Sequence, residues 1–440
     1  MHTTPSSMTP SAPSLRRSMS YVDVIALGIN GMIGAGIFLL PGVIAENLGS
    51  SALLAATLAG IIALLNVMCF AAIARNYVTT GGAYLYARDY LGRVIGFEIG
   101  WLNWCSRMLS WAAIAHGFAI ALSSQFHSSL LQAIYPIALV GLIVLLSILN
   151  FRGVSLGARV STFFTLAKLL PIVFFIIVAS SAFDTRRFEG FSHFQSEAFG
   201  DATLVVFWAF LGFESIAVTA GEMKNPEKML RPALIVIIVM VTTIYLLIIS
   251  MVFGTLDHVA GRQNPVADAS LLLMGPVGGR IISLGILISV FGMASAHALV
   301  VPRCLFALAE HNDMPKPVGW IHAMYRTPVI AIGISGIVTL ILAFGGSFKD
   351  LAVLSVLARF TQYITTAISV LMMTIRDIKT KPITLISLSR CALPIVTLTA
   401  SLWIMAQADP LEWTKVAIAG LLGMPFLFYA VYTERTKASH

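Results

Sequence analysis

Four charged residues sit inside stretches of this chain that otherwise avoid water. Arg107 lies in Trp104-Cys105-Ser106-Arg107-Met108-Leu109-Ser110-Trp111, and Lys168 in Phe163-Phe164-Thr165-Leu166-Ala167-Lys168-Leu169-Leu170-Pro171. Glu214 lies in Phe207-Trp208-Ala209-Phe210-Leu211-Gly212-Phe213-Glu214-Ser215, and Arg359 in Val356-Leu357-Ala358-Arg359-Phe360-Thr361-Gln362-Tyr363. An arginine keeps its proton, so each needs an anionic or strongly polar partner. Its planar fork suits a carboxylate bidentately. A buried lysine is costly unless it is neutral or paired, and unlike arginine it can give up its proton. Glu214 is the only acid well inside such a stretch, and one acid cannot neutralise two arginines. That shortfall favours an anionic ligand with a second carboxylate. The competing reading is a permanent ion pair between Glu214 and one arginine. Glu214 itself reads as a protonatable gate residue or as a hydrogen-bond partner at a helix break.

A second feature is Asn30-Gly31-Met32-Ile33-Gly34-Ala35-Gly36-Ile37-Phe38. Three glycines in six residues weaken a helix in its middle. In hydrocarbon a broken helix is tolerated only where it is buried in protein or lines a cavity. The break presents a half-helix N-terminus whose bare N–H groups suit a carboxylate, while its bare carbonyls suit an ammonium. A zwitterionic amino acid offers both groups. The bland alternative is a small-residue face packed on a neighbouring helix.

These residues must be positioned by helices in a membrane. Of 440 residues, 58% are hydrophobic and 11% charged, against roughly 25% charged in an ordinary soluble domain. The mean hydropathy is +0.88. This excludes a soluble enzyme, a nucleic-acid-binding domain and a disordered scaffold, despite a net charge of +8. A spanning helix needs about 20 apolar residues. Twelve apolar segments are read, at roughly 22–46, 52–74, 94–124, 131–150, 156–182, 201–219, 231–256, 277–309, 328–345, 349–374, 391–408 and 415–433. Placing the N-terminus inside puts 19 of the 28 Lys and Arg residues on the inner side and 6 on the outer, leaving Arg107, Lys168 and Arg359 at membrane depth. Both termini are therefore expected in the cytoplasm. Residues 1–19, rich in Pro, Ser and Thr, read as a disordered cytoplasmic tail rather than a signal peptide. Cys69, Cys105, Cys304 and Cys391 read as small buried hydrophobes, with no metal-ligand spacing and no cofactor implied.

Interruptions in segments one and six, five apart, suggest two inverted five-helix repeats, at 20–182 and 201–376, with 390–434 outside them. Further motifs follow in order: Gly81-Gly82-Ala83-Tyr84-Leu85-Tyr86-Ala87, Gly221-Glu222-Met223-Lys224-Asn225-Pro226-Glu227, Arg231-Pro232-Ala233, Arg303-Cys304-Leu305-Phe306-Ala307-Leu308-Ala309, Met314-Pro315 and Thr327-Pro328. Together with the glycine-rich first segment, these resemble the amino acid–polyamine–organocation transporter superfamily through about 300 residues. The resemblance implies an all-α polytopic membrane protein with 12 transmembrane helices. It also implies a LeuT-like 5+5 inverted repeat with broken helices 1 and 6, and alternating access around a midplane site. The amides of Ala35, Gly36 and Ile37 would take the substrate carboxylate. The carbonyls of Met32, Ile33, Trp208 and Leu211 would take the ammonium, with Trp208 as an aromatic gate. Lys168 resembles the family's fifth-helix lysine, whose ammonium replaces a sodium ion; it would carry the coupling proton or stay a fixed cation. Arg107 and Arg359 look like the two arginines of the mammalian cystine/glutamate exchanger branch, at the side-chain end of the pocket.

The expectation is transport of a free L-amino acid across the plasma membrane of a bacterium, proton-coupled or by exchange. Glutamate or aspartate is the favoured substrate, then cystine, with a broad neutral permease as the alternative. A cationic or polyamine substrate would be repelled by the arginines. A channel would need a continuous polar stripe and an intramembrane enzyme a catalytic constellation; neither pattern is present. His116 and His297 read as hydrogen-bonded core residues. Glu98, Asp201 and Asp23 read as residues of span ends. Glu222, Lys224, Arg88 and Arg93 are candidates for one ion-pair network closing the cytoplasmic gate. The partners read are the amino acid and membrane lipid, with no nucleic acid; an accessory subunit is left open.

Overall fold

The computed structural model describes residues 17–74, 76–77, 81–123, 128–188, 196–262, 264–379 and 385–438. Most of the N-terminal tail and the basic residues Arg75 and Lys381 lie outside them. The first half contains α1 (Tyr21–Met32), α2 (Ala35–Leu48), α3 (Ala52–Ala74), α4 (Ala83–Leu91), α5 (Arg93–Ser123), α6 (Ser128–Phe151) and α7 (Val154–Ser180). The second contains α8 (Ser196–Phe207), α9 (Ser215–Val218), α10 (Pro226–Thr255), α11 (Pro265–Glu310), α12 (Val329–Gly345), α13 (Phe348–Lys379), α14 (Leu385–Met405), α15 (Pro410–Leu421) and α16 (Met424–Ala438). Among the described residues, eight segments are long and apolar enough to cross a membrane, and four apolar helices are shorter. Each of the twelve expected segments overlaps one of these, the first over about half its length. Segments one and six are short because they are broken. The eighth starts earlier than expected, at Pro265, and bends at Gly275, whose φ of +66° is open to glycine.

Helix α7 shows why such a helix forms here. Thr165, Lys168, Ile172, Phe175 and Ala179 are buried, at spacings of three and four. Phe163, Leu166, Leu170 and Ile177 are 62–72% exposed on the other side. An apolar outside around a polar inside is unstable in water and natural in lipid. The interior is built around α5, which packs on α11 and α13, while α11 packs on α7 and α3 on α10.

Both predicted interruptions are present. Helix α1 begins with a capping box, Ser20 and Asp23 bonding each other's backbone amides. It stops at Ile33, whose backbone is extended, and α2 restarts after Gly34. In segment six, α8 tightens into a 3-10 turn at Trp208–Phe210 and Leu211 is extended. Gly212 then turns at φ +123° before α9. The two breaks abut: a Cβ on Gly212 would lie 2.6 Å from the Gly31 carbonyl oxygen. Between α3 and α5, Gly81 and Gly82 adopt φ of +142° and +56°, which lets the chain reverse into α4.

Candidate functional site at the two helix breaks

At the first break the orphaned carbonyls find side-chain partners. Lys168, 1% exposed on α7, donates from Nζ to the Asn30 carbonyl at 3.2 Å and to the Ile33 carbonyl. Ser289 on α11 also donates to Ile33 O, at 3.3 Å. The Asn30 amide donates to Gly292 O at 2.7 Å, tying α1 to α11. The Tyr245 hydroxyl on α10 lies 2.8 Å from Met32 O and 2.9 Å from Ala209 O. It donates to one at a time and so bridges the two broken segments. Tyr245 was missing from the sequence reading. Its one signal was a lone phenol in a near-continuous apolar run.

The carbonyls expected to receive an ammonium are thus partly engaged: Met32 O by Tyr245, Ile33 O by Lys168 and Ser289, and Trp208 O by the Leu211 amide. A carbonyl has two lone pairs, so Met32 O and Trp208 O each retain an acceptor position, whereas Ile33 O, already holding two donors, gains one only when Ser289 or Lys168 turns away. At the start of α2, Gly34 supplies no side-chain cap, which leaves the first-turn amides, those of Ala35, Gly36 and Ile37, without a capping side chain. The Trp208 ring covers this turn: a Cβ on Gly36 would approach Trp208 Cζ3 to 2.9 Å. Trp208 in turn meets Phe348 edge-on, with centroids 5.5 Å apart.

Arg107 of α5, Glu214 before α9 and Arg359 of α13 converge in one buried cluster. Glu214 Oε1 accepts from Arg107 at 3.2 Å and from a terminal nitrogen of Arg359. Its Oε2 accepts from the Tyr363 hydroxyl at 2.9 Å and from the Gly212 amide at 3.2 Å. Arg107 also donates to Asn103 Oδ1 at 3.0 Å and to Ser215 Oγ at 2.8 Å. Arg359 Nε donates to Ser106 Oγ at 2.9 Å, and Ser106 donates on to Ser355 O. The second terminal nitrogen of Arg359 is buried with no hydrogen-bond partner among the described residues, as are both amide atoms of Gln362. The sequence reading found the three charged members. It did not find Asn103, Ser106, Ser215, Tyr363 or Gln362, because neutral polar residues on helices carry no distinguishing pattern. Lys168 is not part of this cluster.

The expected cytoplasmic network is corrected. It is two clusters, and its acid partners differ. Arg88 and Arg93 both pair with Asp313, Arg93 at 2.7 Å, and Tyr84 donates to the same carboxylate. Burial, with that carboxylate beside it, pushes the Tyr84 phenol well above its usual value. Glu222 pairs separately with Arg303 at 3.0 Å, both fully buried, and Arg303 also donates to Asn150 at 2.8 Å. Lys224 joins neither through its side chain: it is exposed, and its backbone amide donates to Met19 O at 3.1 Å. Assignment to one side of the membrane had grouped residues that the fold separates. His116 and His297 sit in the core: His297 contacts Met293 O at 3.1 Å and His116 contacts Ala343 O at 2.7 Å.

Comparison with known proteins follows this geometry. The family model described as "Amino acid permease" matches residues 23–417. The serine/threonine exchanger SteT of Bacillus subtilis (strain 168) is 28% identical over 97% of this chain and 98% of its own length. The methylthioribose transporter of the same organism is 25% identical over 96% and 94%. Cationic amino acid transporter 4 of Mus musculus is 26% identical over 75% of this chain and 55% of its own.

Proposed function

The chain belongs to the amino acid permease family, and we propose that it carries a free L-amino acid with an acidic side chain by alternating access. The family is one of multi-pass membrane transporters, not enzymes. The proposed architecture has twelve crossings, two inverted repeats at 20–182 and 201–376, and cytoplasmic termini in a bacterial inner membrane. The substrate's backbone carboxylate meets the amides of Ala35, Gly36 and Ile37. Its ammonium meets the carbonyls of Met32, Ile33, Trp208 and Leu211, beneath Trp208. Its side-chain carboxylate is read by Arg107 and Arg359. Lys168 holds the first break closed and is the candidate for coupling, by proton symport or by fixed charge in an exchanger.

The observation that carries the acidic reading is the buried terminal nitrogen of Arg359 that has no partner among the described residues, in a cluster of two guanidiniums and one carboxylate. A side-chain carboxylate would supply the missing acceptor and balance the charge. A second reading has its own support. Glu214 already bonds both arginines, and the relative named as a serine/threonine exchanger takes small neutral side chains. The printed names of the three relatives differ in substrate, so similarity alone selects none.

The test is thermal stabilisation of the purified protein by a panel of amino acids, repeated with Arg359→Ala. A ligand at about 100 times its Kd adds about 2.7 kcal/mol, a readable melting shift. The acidic reading requires glutamate, aspartate or cystine to shift the wild type selectively and the variant to lose the shift. Equal shifts of both proteins by serine or threonine would replace it with the neutral reading.

A further inference from the structure

A cleft opens on the flank of the protein where α3, α10, α13 and α14 meet. Its volume is about 410 Å³. Its walls are apolar, formed by Met68 and Ala72 of α3, Val370 of α13 and Leu393 of α14. The Thr374 hydroxyl in the same wall donates to Val370 O at 2.8 Å, so it turns away from the space. The mouth is charged differently: Arg231 of α10, Arg390 of α14 and Asp377 of α13 line it, and all three are exposed. Arg231 and Arg390 lie near the starts of their helices and Asp377 near the end of its own. All three therefore sit at one end of the bundle, the end that the Lys and Arg bias assigns to the cytoplasm. Two cations against one carboxylate leave the mouth positive. Met68, 42% exposed, carries the apolar wall outward to the lipid-facing surface.

We propose that this cleft is a binding site for one anionic phospholipid of the cytoplasmic leaflet. The physical match is in two parts. The phosphate of the headgroup offers acceptors for the guanidinium forks of Arg231 and Arg390, which come from two different spans. An acyl chain lies against Met68, Ala72, Val370 and Leu393, with no polar donor left unsatisfied. A soluble anion would meet the arginines but not the apolar wall, and a zwitterionic lipid would fill the wall but cancel its phosphate charge. Basic pockets between spans on this side of a membrane have the chemistry that anionic headgroups need. The lipid would bridge α10 to α14 across α3, an element both helices pack against. The site lies apart from the Arg107–Glu214–Arg359 cluster and does not depend on which amino acid is carried.

The test is native mass spectrometry of the detergent-solubilised full chain with phosphatidylglycerol, phosphatidylcholine or inorganic phosphate. Two variants accompany the wild type: Arg231→Ala with Arg390→Ala, and Met68→Trp, which fills the cleft without touching charge. Elution as a single species in size exclusion checks folding. Each arginine beside an anionic lipid is worth about fivefold in affinity, so the double variant should lose phosphatidylglycerol retention by about thirtyfold. Met68→Trp should lose it too, and phosphatidylcholine should be retained weakly by all three. Retention of phosphatidylglycerol by both variants overturns the proposal. So does equal retention of the two lipids, or displacement of the lipid by inorganic phosphate, which would mark an anion site without a lipid.

Discussion

Replacing Glu214 by glutamine removes one charge and almost no volume, and it should be among the most damaging single changes in this protein. Both Glu214 oxygens are used, one by two guanidiniums and one by the Tyr363 hydroxyl and the Gly212 amide. An amide in its place keeps one acceptor and turns the other position into a donor. If the amide oxygen faces the arginines, its NH2 faces the Gly212 N–H. If it is flipped, the NH2 faces two cations. Either way two buried guanidiniums lose the one anion they meet among the described residues. Breaking a buried pair by removing one partner costs about 3–5 kcal/mol. Arg359→Met should cost less, about 1–3 kcal/mol, because Glu214 keeps Arg107 at 3.2 Å. The double change removes one of the two naked cations and should fall about 2 kcal/mol short of the sum. Unfolding in mixed detergent and dodecyl sulfate micelles, followed by the fluorescence of the seven tryptophans, measures all three by linear extrapolation. A cost of Glu214→Gln below about 1 kcal/mol, or additivity of the pair within about 0.5 kcal/mol, would refute the shared-anion account.

Three further outcomes follow from the same geometry. Lys168→Met removes the ammonium from the Asn30 and Ile33 carbonyls. Losing charged hydrogen bonds of about 1.5–3 kcal/mol should cut proteoliposome uptake by about tenfold or more, and uptake at the wild-type rate would remove Lys168 from the mechanism. Gly212→Ala places a Cβ 2.6 Å from Gly31 O at φ +123°, so the backbone strain alone should cost about 1–3 kcal/mol; serine at the same position should do no better. Tyr84 keeps its proton more tightly when folded, and a raised folded pKa contributes stability below the unfolded value of 10.0 that is lost as pH rises above it. The stability advantage of wild type over Tyr84→Phe should therefore be constant from pH 6 to 9 and shrink above about pH 10; an advantage that grows there contradicts the Asp313 contact.

The helices, their order and both interruptions were legible in the sequence because each rests on local composition. Apolar runs of spanning length and clustered glycines act within a few residues of themselves. The buried charges were legible for a related reason, since Arg107, Lys168, Glu214 and Arg359 stand out against apolar neighbours whatever they touch. Polar neutral residues gave no such contrast. Ser106, Asn103, Ser215 and Tyr363 look like any hydrophilic point on a helix until α5, α13 and segment six are brought together. Tyr245 was hidden in the same way, inside a run whose apolarity was its main message.

The sequence by itself determined that this is a membrane-embedded helical permease with two broken helices and unbalanced charge in its interior. Only the tertiary structure decided the pairings. Glu214 meets Arg107 across 107 residues of chain and Arg359 across 145, and Arg88 reaches Asp313 across 225. The sequence shows that these charges need partners, because burial makes an unpaired charge costly. It does not show which partner, because that depends on which helix faces which, and packing sets this at distances no local pattern records. This is why Arg88, Arg93 and Glu222, neighbours in expectation, belong to two separate clusters, and why one carboxylate holds two arginines while a nitrogen of Arg359 finds no acceptor among the described residues.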